Sequence, residues 1–401
     1  MFRGSVIAQI IAVIGAIFLA KIYGEEAYGI FGVFMSILSI ISIVATLQLD
    51  KCIVIAKNKR ESNNWFNFLI LLTPFLTIGI SLIVFLISKY FFLDKIGITI
   101  IILSSIGCII YTYNLINESL FTFKKEFSII SNTKVFLIIS NIIMQYLLYY
   151  YFSLLGLIIG FIISQLIILS FYLSKNRNEI LKINFKEIKR GITENNTIVQ
   201  YLLPSTSLNS LANNLMPILI LTFFGPKEAG VYFFSIKILS SPLSLISSSI
   251  SKVFFQRSSE LLLDNKQKLF NLTKNIVITN LGIMIILLII INTIGMHILE
   301  LYFLEKWNNL RLYTLILSIL IFARTSFNPI SSLIVVLNKN LQGLIFNSYL
   351  FLINLMAIYF GFLYNNITIT ILILAIFGGI GYVFLLFYFL NHLKKLSKNN
   401  V

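Results

Sequence analysis

Apolar runs of about twenty residues, separated by short polar or glycine-bearing breaks, recur from one end of the chain to the other. The breaks give expected spans at 4–23, 27–49, 66–91, 96–119, 128–151, 154–174, 200–223, 228–252, 275–296, 310–336, 341–364 and 367–392. A helix of roughly twenty residues rises about 30 Å, the thickness of a bilayer's hydrocarbon core. It also satisfies its own backbone hydrogen bonds, as a chain exposed to lipid must. Most connections are short, which suits antiparallel neighbours. The exception is 175–199, a polar stretch carrying Lys175, Arg177, Lys182, Lys186, Lys189 and Arg190. It separates an N-terminal set of six helices, 1–174, from a C-terminal set of six, 200–401. The pattern thus predicts an all-α polytopic membrane protein of about twelve transmembrane helices in two six-helix bundles.

Composition sharpens the membrane reading. Of 401 residues, 58% are hydrophobic and 11% charged, whereas soluble domains carry roughly 25% charged residues. The apolar excess is too large for a soluble core. With both termini in the cytoplasm, 23 of the 31 basic residues fall in inside segments and 6 in outside segments, leaving Lys237 and Arg324 within spans. That asymmetry is the positive-inside pattern. The net charge of +16 then reflects loops facing an anionic leaflet and calls for no nucleic acid. The first apolar run lacks a small-residue cleavage site and is expected to be the first span.

The two halves share a motif. Tyr23-Gly24 followed by Gly29-Ile30-Phe31 joins the first and second spans, and Phe224-Gly225 followed by Gly230-Val231-Tyr232 joins the seventh and eighth. Glycines at both ends of a short connection suit a tight turn followed by close helix approach. Six spans separate the copies, so the repeat is parallel and the halves pseudo-symmetric, an arrangement that often places a transport site between them.

Charge within a span is costly, about 2.5–3.5 kcal/mol for Lys or Arg at mid-membrane on insertion scales, and tends to face protein or an aqueous cavity. Lys237 lies in the eighth span, with Ser240, Ser241, Ser244, Ser248 and Ser251 following at helical spacings. Arg324 lies in the tenth, before Ser326, Asn328 and Pro329, and the seventh adds Ser205, Asn209 and Asn213. Lys237 and Arg324 can attract an anionic group, the guanidinium fork matching phosphate. Alternatively each snorkels or pairs with a buried carboxylate and only fixes packing. In the first half, Gln9 and Ser5 lie one turn apart, and Asn114, Asn117 and Glu118 share a face. Glu118 and Asp50 are the candidate carboxylates for coupling to a proton or sodium gradient; the competing readings pair Glu118 with Lys124 or Lys125, and Asp50 with a local cation. Trp307 reads as an interfacial anchor.

Several chemistries lack their residues. The only aspartates are Asp50, Asp94 and Asp264, so no Asp-x-Asp pair exists to bind a metal–nucleotide sugar, and no phosphate-loop motif is present. Two cysteines and two histidines offer no disulfide framework, metal site or catalytic triad. No cofactor and no enzymatic activity are expected.

The stretches Arg3-Gly4-Ser5 to Gln9, Leu19 to Gly24, Tyr28 to Phe31 and Ala45 to Asp50 resemble the first two helices of Wzx-type oligosaccharide flippases, within the multidrug/oligosaccharidyl-lipid/polysaccharide (MOP) exporter superfamily. Gly230 to Tyr232, Lys237 to Ser244 and Val253 to Arg257 resemble the family's eighth helix and following loop, and Trp307, Phe322 to Arg324 and Asn328-Pro329 a further stretch. The resemblance implies a MATE-like pair of bundles around a cationic cavity, lined by Lys237, Arg324, Gln9, Ser205, Asn209, Asn213, Ser240, Ser244 and Asn328. It also implies alternating-access transfer of polyprenyl-diphosphate-linked oligosaccharide across the bacterial inner membrane, for O-antigen, capsule or exopolysaccharide assembly. Membrane lipids, a polysaccharide polymerase and chain-length proteins are the candidate partners. Two features depart from the family: Lys237 stands where Arg is expected, and Gln48 precedes Asp50 where a basic residue is common. A cation-coupled multidrug exporter of the same superfamily, a membrane-embedded polymerase and a non-transporting scaffold are the competing readings. The first would want an acidic or aromatic cavity, and the second a large external loop.

Overall fold

A computed structural model describes residues 2–91, 97–176, 183–194, 198–304 and 306–398. Arg177, Lys182, Asp94 and Lys95 lie outside the described residues, as do the side chains of Arg3, Ser5 and Ser248. Among described residues the chain is helical throughout, with no strand. Nine helical runs are long and apolar enough to cross a membrane. Two hold a break and supply two crossings each: Gln9–Thr46 bends at Gly24, and Phe127–Lys175 contains the short 3-10 turn Ser153–Leu155. The eighth expected span lies within α9 (Pro226–Asp264), a continuous helix that carries Lys237 and a serine every few residues. Together these account for the twelve expected crossings. Large apolar side chains such as Phe75, Ile83, Ile286 and Phe384 remain exposed on them, as a lipid-facing surface requires.

Two units emerge, Met1–Gly230 and Val231–Val401. The first contains α1 (Phe2–Thr46), α2 (Asp50–Ile55), α3 (Lys59–Phe91), α4 (Ile98–Phe123), α5 (Phe127–Phe152), α6 (Gly156–Lys175), α7 (Phe185–Glu194), α8 (Leu203–Phe224) and the start of α9. The seventh expected span, α8, packs on α1 within this unit. Large close approaches between these helices are made by small residues. Gly160 of α6 lies against the backbone of Gln145 on α5, whose amide donates to the Leu157 carbonyl at 2.8 Å.

The repeated motif has a repeated conformation. Gly24 adopts φ 74°, ψ −176° and Gly225 φ 97°, ψ 172°, a region that in effect only glycine occupies. The second pair of glycines then meets back to back. A Cβ on Gly29 would overlap the Pro226 carbonyl oxygen and stand 3.0 Å from the Gly230 nitrogen, while a Cβ on Gly230 would overlap the Glu25 carbonyl and stand 2.9 Å from the Gly29 nitrogen. Tyr28 reaches back across the bend, its hydroxyl donating to the Ala16 carbonyl at 2.7 Å.

The basic linker is not a featureless strap. It contains α7, an amphipathic helix whose Ile188 enters a cluster with Leu49, Ile53, Trp65, Phe66 and Ile116. Gly191 lets it lie against the Trp65 ring, where a Cβ would be 2.6 Å from Cζ2. Its polar face ties down at both ends. Asn184 and Asn64 exchange hydrogen bonds at 2.9 and 3.2 Å, and Glu187 pairs with Arg60 at 3.2 Å. Arg190, bonded to Glu194, holds that carboxyl below its ordinary pKa.

The second unit contains the rest of α9, then α10 (Lys266–Ile290), α11 (Met296–Phe303), α12 (Leu310–Phe327), α13 (Leu333–Val336), α14 (Asn340–Leu363) and α15 (Ile367–Lys398). Helix α15 packs against α10, α12 and α14. Trp307, expected as an interfacial anchor, is instead buried, its ring tilted against Phe234 at 4.6 Å and Phe303 at 5.4 Å between ring centroids. Neighbouring aromatic rings on α9 and α11 form a slot for the indole, which outweighs the interfacial preference.

The glycine contact makes a direct prediction. Gly29→Ala or Gly230→Ala should destabilise the protein by about 1–3 kcal/mol, the usual range for overpacking. Gly282→Ala on α10, where nothing lies within 4 Å of the added methyl, should be neutral or mildly stabilising. Thermal unfolding of the three purified variants in detergent checks this; equal melting points would remove the contact's special status.

Candidate functional site

Lys237 and Arg324 both belong to the second unit and both are half-buried on helices that cross the apolar layer. Arg324 sits near the end of α12, close enough to Tyr232 of α9 and Tyr382 of α15 for its charge to act on both phenols. Those two tyrosines are buried, at 5% and 6% exposure. Among the described residues no carboxylate lies within ion-pair distance of Arg324. Such a group is suited to take an anion from outside the protein.

The end of α12 has a definite cause. Pro329 has no N–H, so the Thr325 carbonyl four residues earlier loses its helical donor. Two side chains supply it instead: Asn280 of α10 donates from Nδ2 at 3.0 Å, and Ser247 of α9 from Oγ at 3.4 Å. The helix tightens into a 3-10 turn over Asn328–Ile330, and the chain then passes through α13 to α14. Three helices are therefore tied at one backbone oxygen immediately beside Arg324. Asn280 is fully buried, and its Oδ1 has no partner.

The remaining expected residues distribute as follows. Ser240 and Ser244 turn their hydroxyls to their own helix, donating to the Ile236 and Ser241 carbonyls. Two buried serines of that helix reach α12, Ser235, which accepts from the Thr314 hydroxyl at 3.3 Å, and Ser247; the spacing from Lys237 singled out neither. Asn328 is half-buried, and its carbonyl accepts from Ser331. In the first unit Asn213 donates to the side chain and backbone of Asn209, both at 2.7 Å. Gln9 and Ser205 also lie there, both half-buried. Asn114 and Asn117 are buried in structural bonds, to Gln165 at 2.7 Å and to Asn176 at 2.9 Å.

The carboxylates part company. Glu118 pairs with Lys134 of α5 at 3.3 Å rather than with Lys124, which donates to Asn176, or Lys125. A lysine one helix away was closer in space than those nearer in sequence. Asp50 opens α2 with one buried oxygen lacking a partner, while its neighbour Lys51 bonds to Gln48 instead. Tyr232, Tyr382, Ser247 and Asn280 were missed by sequence reasoning. Asn280 and Thr325 had a signal: an amide within an apolar span needs a partner, and a proline creates one four residues upstream.

Residues 18–311 match the model of a family described as polysaccharide biosynthesis protein. The chain belongs to this family. Solved structures share its fold. An inward-closed lipid II flippase MurJ superposes with TM-score 0.75 at 14% identity, covering 99% of this chain and 89% of that one. An inward-facing multidrug resistance MATE transporter of the MOP superfamily gives 0.74 at 14%, covering 97% and 96%. A MOP transporter from Pyrococcus furiosus, reported for a binding pocket of reversed polarity, gives 0.61 at 13%, covering 98% and 94%. No curated protein matches the sequence. The molecule is a multi-pass, all-α membrane protein with the MOP transporter fold.

The shared carbonyl predicts coupled effects. Asn280→Leu should destabilise the fold by about 1–3 kcal/mol, since a buried acceptor loses its nearer donor. In a Pro329→Ala background, which restores an N–H for Thr325, the same substitution should cost roughly 0.6–1.7 kcal/mol less, the range of hydrogen-bond couplings in membrane helices. A double-mutant cycle read by chemical denaturation in detergent measures this, and zero coupling would contradict it.

Proposed function

We propose that this protein is a transporter, without catalytic activity, that carries polyprenyl-diphosphate-linked oligosaccharide from the cytoplasmic to the periplasmic leaflet. The observation that carries the reading is a half-buried guanidinium, Arg324, within a membrane-crossing helix and without a described carboxylate partner, in a chain of a polysaccharide biosynthesis family. A diphosphate bearing sugars cannot cross hydrocarbon unaided, and fixed cations in the path lower that barrier. Lys237 and Arg324 are assigned to the diphosphate. The polar side chains Gln9, Ser205, Asn209, Asn213, Ser240, Ser244 and Asn328 are assigned to the lining of the sugar path. The same positive charges disfavour a cationic-drug exporter, whose cargo they would repel.

In this reading the protein resides in the bacterial inner membrane with both termini cytoplasmic, supplying units to a polymerase and its chain-length partner. A proton or sodium gradient drives the cycle through a carboxylate of the first unit. Asp50 is favoured over Glu118, because Glu118 already holds a lysine whereas a buried Asp50 oxygen has no partner.

The test uses a cell lacking its own oligosaccharide flippase and making a matched glycan. Wild-type chain should restore periplasmic exposure of the lipid-linked unit. Arg324→Ala should lower it by about tenfold or more, in line with the loss of charge-assisted bonds, with Arg324→Lys intermediate. Absence of translocation by correctly inserted wild type would refute the assignment, whereas full activity of Arg324→Ala would reduce that arginine to a packing role.

A further inference from the structure

Helices α14 and α15 leave a groove on the lipid-facing side of the second unit. Its apolar section has a volume of about 480 Å³ and is walled by Phe346, Tyr349, Phe384 and Tyr388, with Gln342 as its one amide side chain. Ile345, Ile380 and Phe384 at its mouth are 59%, 56% and 71% exposed, so the groove opens sideways to lipid. The opening is built. Gly381 lets the Tyr349 and Phe346 rings lie on α15, since a Cβ there would stand 2.5 Å from Tyr349 Cε1 and 3.3 Å from Phe346 Cε2. The Tyr349 hydroxyl is fixed by donation to the Phe377 carbonyl at 2.8 Å, and Phe346 packs edge-on to Tyr382.

The groove does not end in hydrocarbon. A second pocket of about 250 Å³ shares Phe384 and Tyr388 with it and is lined further by Asn391, His392 and Lys395. The His392 ring stacks parallel to Tyr388, with 6.2 Å between centroids. Lys339, at the start of α14, and Lys395 both lie close enough to His392 for their charges to reach it. None of the residues lining either pocket is acidic. An apolar slot thus runs into a basic end lined by His392 and Lys395, with Lys339 within electrostatic range of the histidine, where the distribution of basic residues puts the cytoplasmic surface.

We infer that this groove is a binding site for an anionic phospholipid of the cytoplasmic leaflet, one acyl chain lying along Phe346, Tyr349 and Phe384 and the phosphate-bearing headgroup on Lys339, His392 and Lys395. A zwitterionic headgroup would bring its ammonium into a cluster with no carboxylate to receive it. Basic pockets between helices at this surface hold anionic headgroups by the same electrostatics. The site lies on the outer face of unit two and owes nothing to Lys237 or Arg324. It rests on the membrane reading alone and stands or falls separately from the translocated substrate.

The experiment is native mass spectrometry of the purified full chain in detergent, with phosphatidylglycerol or phosphatidylethanolamine added. One phosphatidylglycerol per chain should survive activation that strips phosphatidylethanolamine. Lys339→Gln with Lys395→Gln should cut that retention by about tenfold, while the variant keeps the wild-type elution and melting point without lipid. A second variant, Ile380→Trp, fills the mouth without touching the charges and should also lose the adduct. Equal retention of the two lipids, or undiminished retention in both variants, overturns the site. Displacement of phosphatidylglycerol by an equimolar polyprenyl phosphate would also overturn it, assigning the groove to a prenyl chain instead.

Discussion

Two glycines facing one another, Gly29 and Gly230, let two segments of the first unit meet backbone to backbone, and much else follows from that approach. Each lacks the atom that would strike the other segment's carbonyl. Each is preceded, five residues earlier, by a glycine in a conformation that other residues rarely adopt, Gly24 and Gly225. The bend redirects the chain, and the second glycine then lets the redirected helix lie against its counterpart. In lipid no hydrophobic gain drives helices together, so packing of this kind and hydrogen bonds must supply the cohesion. The contact is reciprocal: Gly29 meets Pro226 and Gly230, while Gly230 meets Glu25 and Gly29. A duplicated motif that packs on its own copy uses one solution twice.

The second unit solves a different problem, the placement of polar groups within the apolar layer. Pro329 ends α12 and strands the Thr325 carbonyl, and an amide and a hydroxyl from two other helices satisfy it. The tie holds α9, α10 and α12 at one point, one residue from Arg324. An arginine near a helix end that is held in this way has a defined position. Without the tie, the last turn of α12 would be free to fray, and the guanidinium could retreat to the nearer membrane surface. The two phenols within reach of its field are neutral and do not cancel its charge, so that field remains available to an anion.

How much of this was legible in the sequence depended on range. Helices, their number and the bend at Gly24 were readable because apolar length and glycine placement are local properties. The duplicated motif was readable too, and its conformational match at Gly24 and Gly225 follows from sterics that only glycine escapes. Partners were not readable, because they are chosen by helix rotation and register. Glu118 took Lys134 rather than Lys124 or Lys125, and Trp307 was drawn under Phe234 and Phe303. The serine stripe after Lys237 looked like a wet face. Yet Ser240 and Ser244 satisfy their own helix, while Ser235 and Ser247 bond to α12. Helical spacing groups residues by face without saying what that face meets. The basic linker also hid a structure: α7 alternates charge with Ile188 and Gly191, a pattern that acquires meaning only beside Trp65.

Positive charge in this protein therefore does three kinds of work, separated by burial and by what stands opposite. On α7 and the loop before α3, arginine and lysine meet glutamates at the surface, where each pair contributes little by itself but several act together to hold a short helix. At the end of α15, exposed Lys395 and half-buried His392 close an apolar groove, and nothing acidic lines it. Within α12, Arg324 stands half-buried and beyond ion-pair distance of any described carboxylate. A charge in that last setting is costly to keep, since no described carboxylate stands within ion-pair distance to offset it. Packing alone would be served as well by an apolar side chain of similar volume, which avoids that cost. In the proposed function that cost is met by an anion that comes and goes, and this argument supports a transport role for the residue more than its position in the helix does.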